Sequence, residues 1–133
     1  MKLIVCLDDR LGMAFNSRRQ SRDRKLLDDL CAHVGQAPLY MLPYSLPLFE
    51  GTTASVSVAQ ELSSLPRDAY VFLETTDPTP LSSFLDEVIL YRWNRHYPAD
   101  LVFPIDLGSY TLTSTTEFSG SSHNTITKEV WKK

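Results

Sequence analysis

Residues 69–93, AYVFLETTDPTPLSSFLDEVILYRW, decide the fold. Ala69–Leu73 (AYVFL) is a short apolar and aromatic run, bounded by polar residues, and reads as a buried strand. Glu87–Trp93 (EVILYRW) reads the same way. Between them, Pro78 and Pro80 suit the first turn of a helix, where a missing N–H costs nothing, and that helix is predicted to run to Leu85. Strand, helix and strand in succession imply parallel neighbours with the helix on one face of the sheet.

Outward from this unit the pattern repeats. Met1–Leu7 (MKLIVCL) is apolar and β-branched, the mark of a central strand. Asp8–Arg10 is polar and Gly12 opens a loop, with Asn16–Gln20 polar and flexible. Ser21 is the expected N-cap of the first helix, and Asp23 sits in its first turn, where a carboxylate favours the positive end of the helix dipole. Leu26, Leu27, Leu30, Cys31 and Val34 recur at helical spacing, and Gly35 stops the helix. Pro38–Leu42 (PLYML) reads as a second strand, Pro43–Gly51 as irregular and Ser57–Leu65 as a short helix. Tyr110–Phe118 and Thr125–Lys132 are strand-like, and the Ser119–Asn124 spacer (SGSSHN) makes them a hairpin. The order is β-α-β-α-β-α-β followed by a hairpin. The expected fold is one α/β domain, residues 1–133, with a mostly parallel sheet, flanking helices and a C-terminal antiparallel hairpin.

Composition narrows the function classes. With 133 residues and 43% apolar content the chain can build one core. It has no apolar run near the ~20 residues that span a bilayer. Met1–Leu7 is too short for a signal peptide, so a cytoplasmic location and no membrane partner are expected. Cys6 and Cys31 make no disulfide framework and read as buried thiols. The net charge of −3 argues against nucleic acid as a partner. The basic residues are nevertheless uneven: Arg18, Arg19, Arg22, Arg24 and Lys25 fall within eight positions. They form either a solvated loop and helix start or a patch for an anionic ligand. Ser121, Ser122 and His123 share the hairpin tip, where turn chemistry accounts for them. No metal site is expected, because His33, His96 and His123 are far apart and the doublets Asp8-Asp9 and Asp28-Asp29 match no metal loop.

The segment Tyr70–Pro104 resembles dihydrofolate reductase. In that family a strand ends in a diglycine turn, then come a helix and a long strand leading to Gly-Asp-x-x-Phe-Pro. Here Ala99-Asp100-Leu101-Val102-Phe103-Pro104 fits the last motif, with no gap back to Val71. Asp106, Tyr110 and the closing hairpin follow in the family's order. At the N-terminus a strand, Asp9, Gly12, a loop and a helix opened by an acid also agree. The resemblance implies that the early loop closes over a substrate and that Asp23, with one deletion, stands at the catalytic carboxylate. The stretches FNSRRQSRD and YRWNRHYPAD are similar to small bacterial proteins named ribonuclease Z, but the zinc motif of that enzyme has no counterpart here.

Three departures bear on activity. The diglycine positions read Leu73-Glu74-Thr75, and Glu74, taken as an exposed strand-end residue, places a negative charge where a cofactor diphosphate would lie. Two unit charges ~4 Å apart at an effective dielectric near 20 repel by about 4 kcal/mol, roughly a thousandfold in affinity. Leu42-Pro43 replace a Gly-Arg pair that binds phosphate, and the adenosine-side strand and loop are missing. Tyr91 replaces a supporting Thr, and Arg19 stands near a loop Trp. No cofactor is therefore expected. The leading reading is a non-catalytic protein that binds a small anionic or heterocyclic ligand, or a protein partner. Its ligand residues would be Asn16, Arg18, Arg19, Tyr91 and Trp93. A second reading is a pterin- or nucleotide-acting enzyme with Asp23 as catalytic proton donor. A third is an RNA-binding or nuclease-associated protein using Arg18–Lys25. A homodimer across edge strands is a further expectation.

Overall fold

The computed structural model describes all 133 residues. Its elements are β1 (Lys2–Leu7), β2 (Gly12–Phe15), β3 (Arg18–Arg19), α1 (Arg24–Val34), β4 (Pro38–Met41), β5 (Ser55–Val58), β6 (Tyr70–Phe72), β7 (Glu87–Arg92), β8 (Leu101–Val102), β9 (Thr111–Phe118) and β10 (Ile126–Lys132). Seven strands form one sheet in the order β5-β4-β6-β1-β7-β10-β9, and β3-β2-β8 form a small second sheet. The first five strands of the large sheet are parallel, while β10 and β9 continue it antiparallel. The protein is therefore mixed α/β, with a mostly parallel sheet and an antiparallel C-terminal hairpin.

The strand period of two sorts the core into two faces. Register pairs Leu3 with Val71 and Val88, and Ile4 with Phe72 and Ile89. Leu3, Val5, Leu7, Val71, Val88 and Leu90 face one way, whereas Ile4, Phe72, Ile89 and Tyr91 face the other. Helix α1 covers the second face with Leu26, Leu30 and Val34. The first face carries no α-helix: Leu65, Leu81, Leu85, Phe103 and Tyr110 cover it from turns and extended chain.

That difference corrects the expectation of several flanking helices. Ser57–Leu65 is not a helix. Ser55–Val58 (SVSV) alternates at period two, pairs parallel with β4, and is followed by one 3-10 turn at Leu62–Ser64. Thr79–Phe84 is a 3-10 turn rather than an α-helix, since the segment has only six residues before Leu85 turns extended, too few to repay α-helix nucleation. Pro43–Phe49 is also 3-10, with Pro47 inside it. The α1 cap is Asp23, not Ser21: its side chain accepts from the N–H groups of Lys25 and Leu26. Gly35 ends the helix at φ 57°. No helix is long and apolar enough to cross a membrane. Cys6 and Cys31 are both free and half-buried rather than buried.

Candidate functional site

Because β4, β6, β1 and β7 are parallel, the chain leaves all four at one edge of the sheet, where open α/β sheets characteristically hold ligands. The residues that follow them there are Leu42, Leu73-Glu74, Asp8 and Trp93. The β2–β3 hairpin folds over this edge. Asn16 and Ser17 form its turn at φ 53° and 59°, so both central residues are left-handed, as a two-residue hairpin requires. Asn16–Gln20 is thus an ordered hairpin, not a flexible loop. Its root is Asp8, which is 1% exposed and accepts from the N–H groups of Gly12 (2.7 Å), Arg10 (2.8 Å) and Tyr97 (3.2 Å) and from Gln20 Nε2 (3.1 Å). Burial pushes the Asp8 carboxyl up, and these four donors outweigh it and hold it below its ordinary value. Only glycine fits at position 12: a Cβ there would lie 2.6 Å from the Ala99 Cβ and 2.9 Å from the Asp8 carboxylate.

Under the hairpin, Arg19 and Glu74 close the edge. Arg19 Nε lies 2.7 Å from Glu74 Oε2 and Nη2 3.0 Å from Oε1, and Ser45 Oγ donates to Oε1 at 2.7 Å. Glu74, read as exposed, has a side chain only 8% exposed. Two small cavities flank this pair. One, of about 10 Å³, is lined by Cys6, Met13, Arg19, Ser21, Glu74 and Trp93 among others. The other, of about 20 Å³, is an apolar slot between α1 and the 43–49 turn, walled by Leu26, Leu27, Leu30, Leu48, Phe72 and Trp93. It has room for one water. Leu27 and Leu48 also line an open groove of about 500 Å³, whose walls carry Arg22, Arg24, Ser121 and Ser122 with Asp28 and Glu50.

A buried polar cluster borders the slot. His123 is 4% exposed although it lies in the spacer of a hairpin. Its Nδ1 is 2.9 Å from Asp23 Oδ2, and its ring stacks on Trp93 at 4.6 Å. Asp23 also accepts from the N–H groups of Ser121 (3.0 Å) and Ser122 (2.8 Å), besides its two helix donors. Burial raises the Asp23 carboxyl, but the bonds from Ser121, Ser122, His123 and Leu26 prevail and hold it far below the usual carboxylate range. Gly120 is required for this approach, since a Cβ there would lie 2.5 Å from Asp23 Oδ2. With Nδ1–H given to Asp23, Nε2 faces the Tyr97 hydroxyl at 2.9 Å and Ser21 Oγ at 3.2 Å. Carboxylate, imidazole and hydroxyl in that order resemble an acid–base relay. Tyr97, however, shares Nε2 and is the nearer hydroxyl, so Ser21 has no base to itself. The cluster's evident work is to pin the β9–β10 tip to the start of α1.

The sequence-predicted residues separate accordingly. Arg19 and Trp93 meet at the strand-end cavity, and Asp23 and Trp93 meet at the slot. Asn16 is exposed at the hairpin turn, where its N–H donates to Asp100 Oδ2 at 3.0 Å, and Arg18 is exposed beside it. Tyr91 is fully buried beneath α1, its hydroxyl donating to Asp29 Oδ2 at 2.6 Å, and lines neither cavity. Burial first and Asp29 second raise its phenol far above the ordinary value. Tyr91→Phe is expected to cost about 1–3 kcal/mol, read by urea unfolding, because the bond is short and charge-assisted. Glu74, Leu27, Leu48, Tyr97 and His123 were not legible as site residues. Only the excess of polar hairpin residues around His123 carried a trace of its role. No three His, Cys, Asp or Glu side chains group in a way that could hold a metal ion.

Compared with known proteins, the chain matches no family model and no curated relative.

Proposed function

We propose that the chain is a non-catalytic small-molecule-binding protein on a reduced dihydrofolate-reductase-like fold. Its ligand is a flat heterocycle that lies in the open groove, its ring against Leu27 and Leu48 and its polar groups toward Arg22, Arg24, Ser121 and Ser122. The observation that carries this reading is the groove itself, which at about 500 Å³ is large enough for such a ring, whereas the adjoining slot of about 20 Å³ holds no more than a water. Leu27 and Leu48 give the groove an apolar wall, and Arg22, Arg24, Ser121 and Ser122 line it with polar groups, alongside Asp28 and Glu50. A concave site with converging polar groups beside an apolar wall, close to the C-terminal ends of parallel strands, is where open α/β sheets hold ligands. Asp23 supports the non-catalytic part. It stands in the slot wall, but its carboxylate stays ionised and its oxygens are already taken by Lys25, Leu26, Ser121, Ser122 and His123, so it has no proton to give.

A thermal-shift screen against folate, dihydrofolate and NADPH tests this. Folate or dihydrofolate near a hundred times its dissociation constant is expected to add about 2.7 kcal/mol, a rise of several degrees in Tm. Leu48→Trp, which puts an indole into the groove, is expected to abolish the rise, and NADPH is expected to leave Tm unchanged. A shift with NADPH, or a folate shift that survives Leu48→Trp, overturns the reading. Silence from every probe passes it to a protein partner. The place for that partner is β9, the outermost strand, whose eight residues are almost all exposed.

A further inference from the structure

Four side chains from three separate turns meet above the slot. Arg19 ends the β2–β3 hairpin, Tyr44 and Ser45 open the 43–49 turn, and Glu74 follows β6. The guanidinium grips Glu74 through two parallel N–H···O bonds, and Ser45 adds a hydroxyl donor. The Tyr44 ring lies 4.7 Å from the Arg19 guanidinium, and the Tyr44 hydroxyl accepts the Arg19 N–H at 3.1 Å. Apart from Glu74, what remains is a planar cationic fork, a hydroxyl and an aromatic wall. Those are the groups that recognise a carboxylate or a phosphate.

Position sets this pair apart from other ion pairs of the chain. Arg92–Glu129 spans neighbouring strands and Lys128–Asp29 ties β10 to α1, and none of those residues lines the cavities at the strand ends. Arg19 and Glu74 both line the strand-end cavity, together with Cys6, Ser21 and Trp93. We propose that Arg19, Tyr44 and Ser45 form an anion receptor whose built-in ligand is the chain's own Glu74. While Glu74 occupies the receptor, no free cation faces the strand-end cavity, and an outside carboxylate or phosphate is turned away. The receptor stands apart from the groove reading and is tested without any heterocycle.

Glu74→Ala empties the receptor and leaves Arg19 unpaired. Thermal melts of wild type, Glu74→Ala and Arg19→Ala/Glu74→Ala are compared in sodium phosphate, sodium acetate and sodium chloride at equal ionic strength. Phosphate stabilises folded proteins generally, so the reading is the difference between variants. Glu74→Ala is expected to gain several degrees more than wild type in phosphate or acetate. The double variant is expected to gain no more than wild type. A gain in acetate alone marks a carboxylate receptor, and a gain in phosphate alone a phosphate receptor; either supports the proposal. If Glu74→Ala responds no more than wild type, or the double variant responds equally, the proposal is overturned. Should Glu74→Ala fold poorly, folding recovered in phosphate or acetate but not chloride counts as the gain, and Glu74→Ser, whose hydroxyl can meet Ser45, is read identically. A positive anion result with a silent folate screen sinks the groove reading and keeps the receptor; the converse sinks the receptor alone.

Discussion

Asp23→Ala is expected to lower stability by about 3–5 kcal/mol and Tm by roughly 10–20 °C, the largest loss foreseen for any polar side chain of this protein. The carboxylate caps α1, holds the N–H groups of Ser121 and Ser122, and receives Nδ1–H of His123, all with its side chain fully buried. Truncation strips one helix cap and leaves two buried donors, Leu26 N–H and His123 Nδ1–H, without this acceptor, together with the part-buried N–H groups of Lys25, Ser121 and Ser122. An N-cap alone is worth about 1 kcal/mol, and each orphaned buried donor costs about 1–3 more, short of full additivity. The hairpin tip should also loosen, visible as faster amide exchange at Ser121 and Ser122. The pH dependence has a definite sign. A depressed carboxyl contributes stability that is complete above its unfolded value, about 3.9, and is lost as pH falls below that toward the folded value. Wild type should therefore lose this contribution on acidification below pH 4, while Asp23→Ala lacks that part of the acid limb. Urea melts from pH 2 to pH 7 measure both effects, and a variant within about 1 kcal/mol of wild type would show that the cluster is dispensable.

Arg19→Ala is expected to cost about 2–4 kcal/mol, more than Glu74→Ala and more than the double variant Arg19→Ala/Glu74→Ala. The asymmetry follows from burial. Glu74 is 8% exposed and Arg19 22%, so an abandoned guanidinium can still reach water but an abandoned carboxylate cannot. Removing both charges leaves no unpaired ion, and the double-variant cycle should return a coupling of about 1–3 kcal/mol. Amides of the β2–β3 hairpin should exchange faster in Arg19→Ala, because the ion pair is its main tie to the end of β6. Single-variant costs that simply add would reduce the pair to an ordinary surface contact.

The elements that were legible are those with a local signal. MKLIVCL and EVILYRW are apolar runs bounded by polar residues, and they became adjacent central strands. Leu26, Leu30 and Val34 sit at helical spacing, and they are the buried face of α1. SGSSHN is turn-rich and joins β9 to β10. The misread elements are those whose local signals conflict. Ser55–Val58 became a strand because β4 offered its edge for parallel pairing. Thr79–Phe84 stayed 3-10 because six residues are too few to repay the nucleation of an α-helix.

The site was less legible for a related reason. Asp23 and Arg19 could be singled out because a carboxylate at a helix start and a cluster of arginines are visible one residue at a time. Their partners could not. His123 lies 100 residues from Asp23 and Glu74 lies 55 from Arg19. No periodicity links such positions, and an unpaired glutamate or histidine in a polar turn reads as solvated. By itself, then, the sequence determined the parallel core strands, the helix over Arg24–Val34 and the closing hairpin, since each follows from apolar spacing and turn chemistry within a few residues. Only the tertiary structure decided that the hairpin tip buries a histidine on the helix cap and that the basic loop meets its own counter-ion. Those choices depend on the sheet register bringing distant turns to one edge, where desolvation makes each lone charge seek the nearest opposite one.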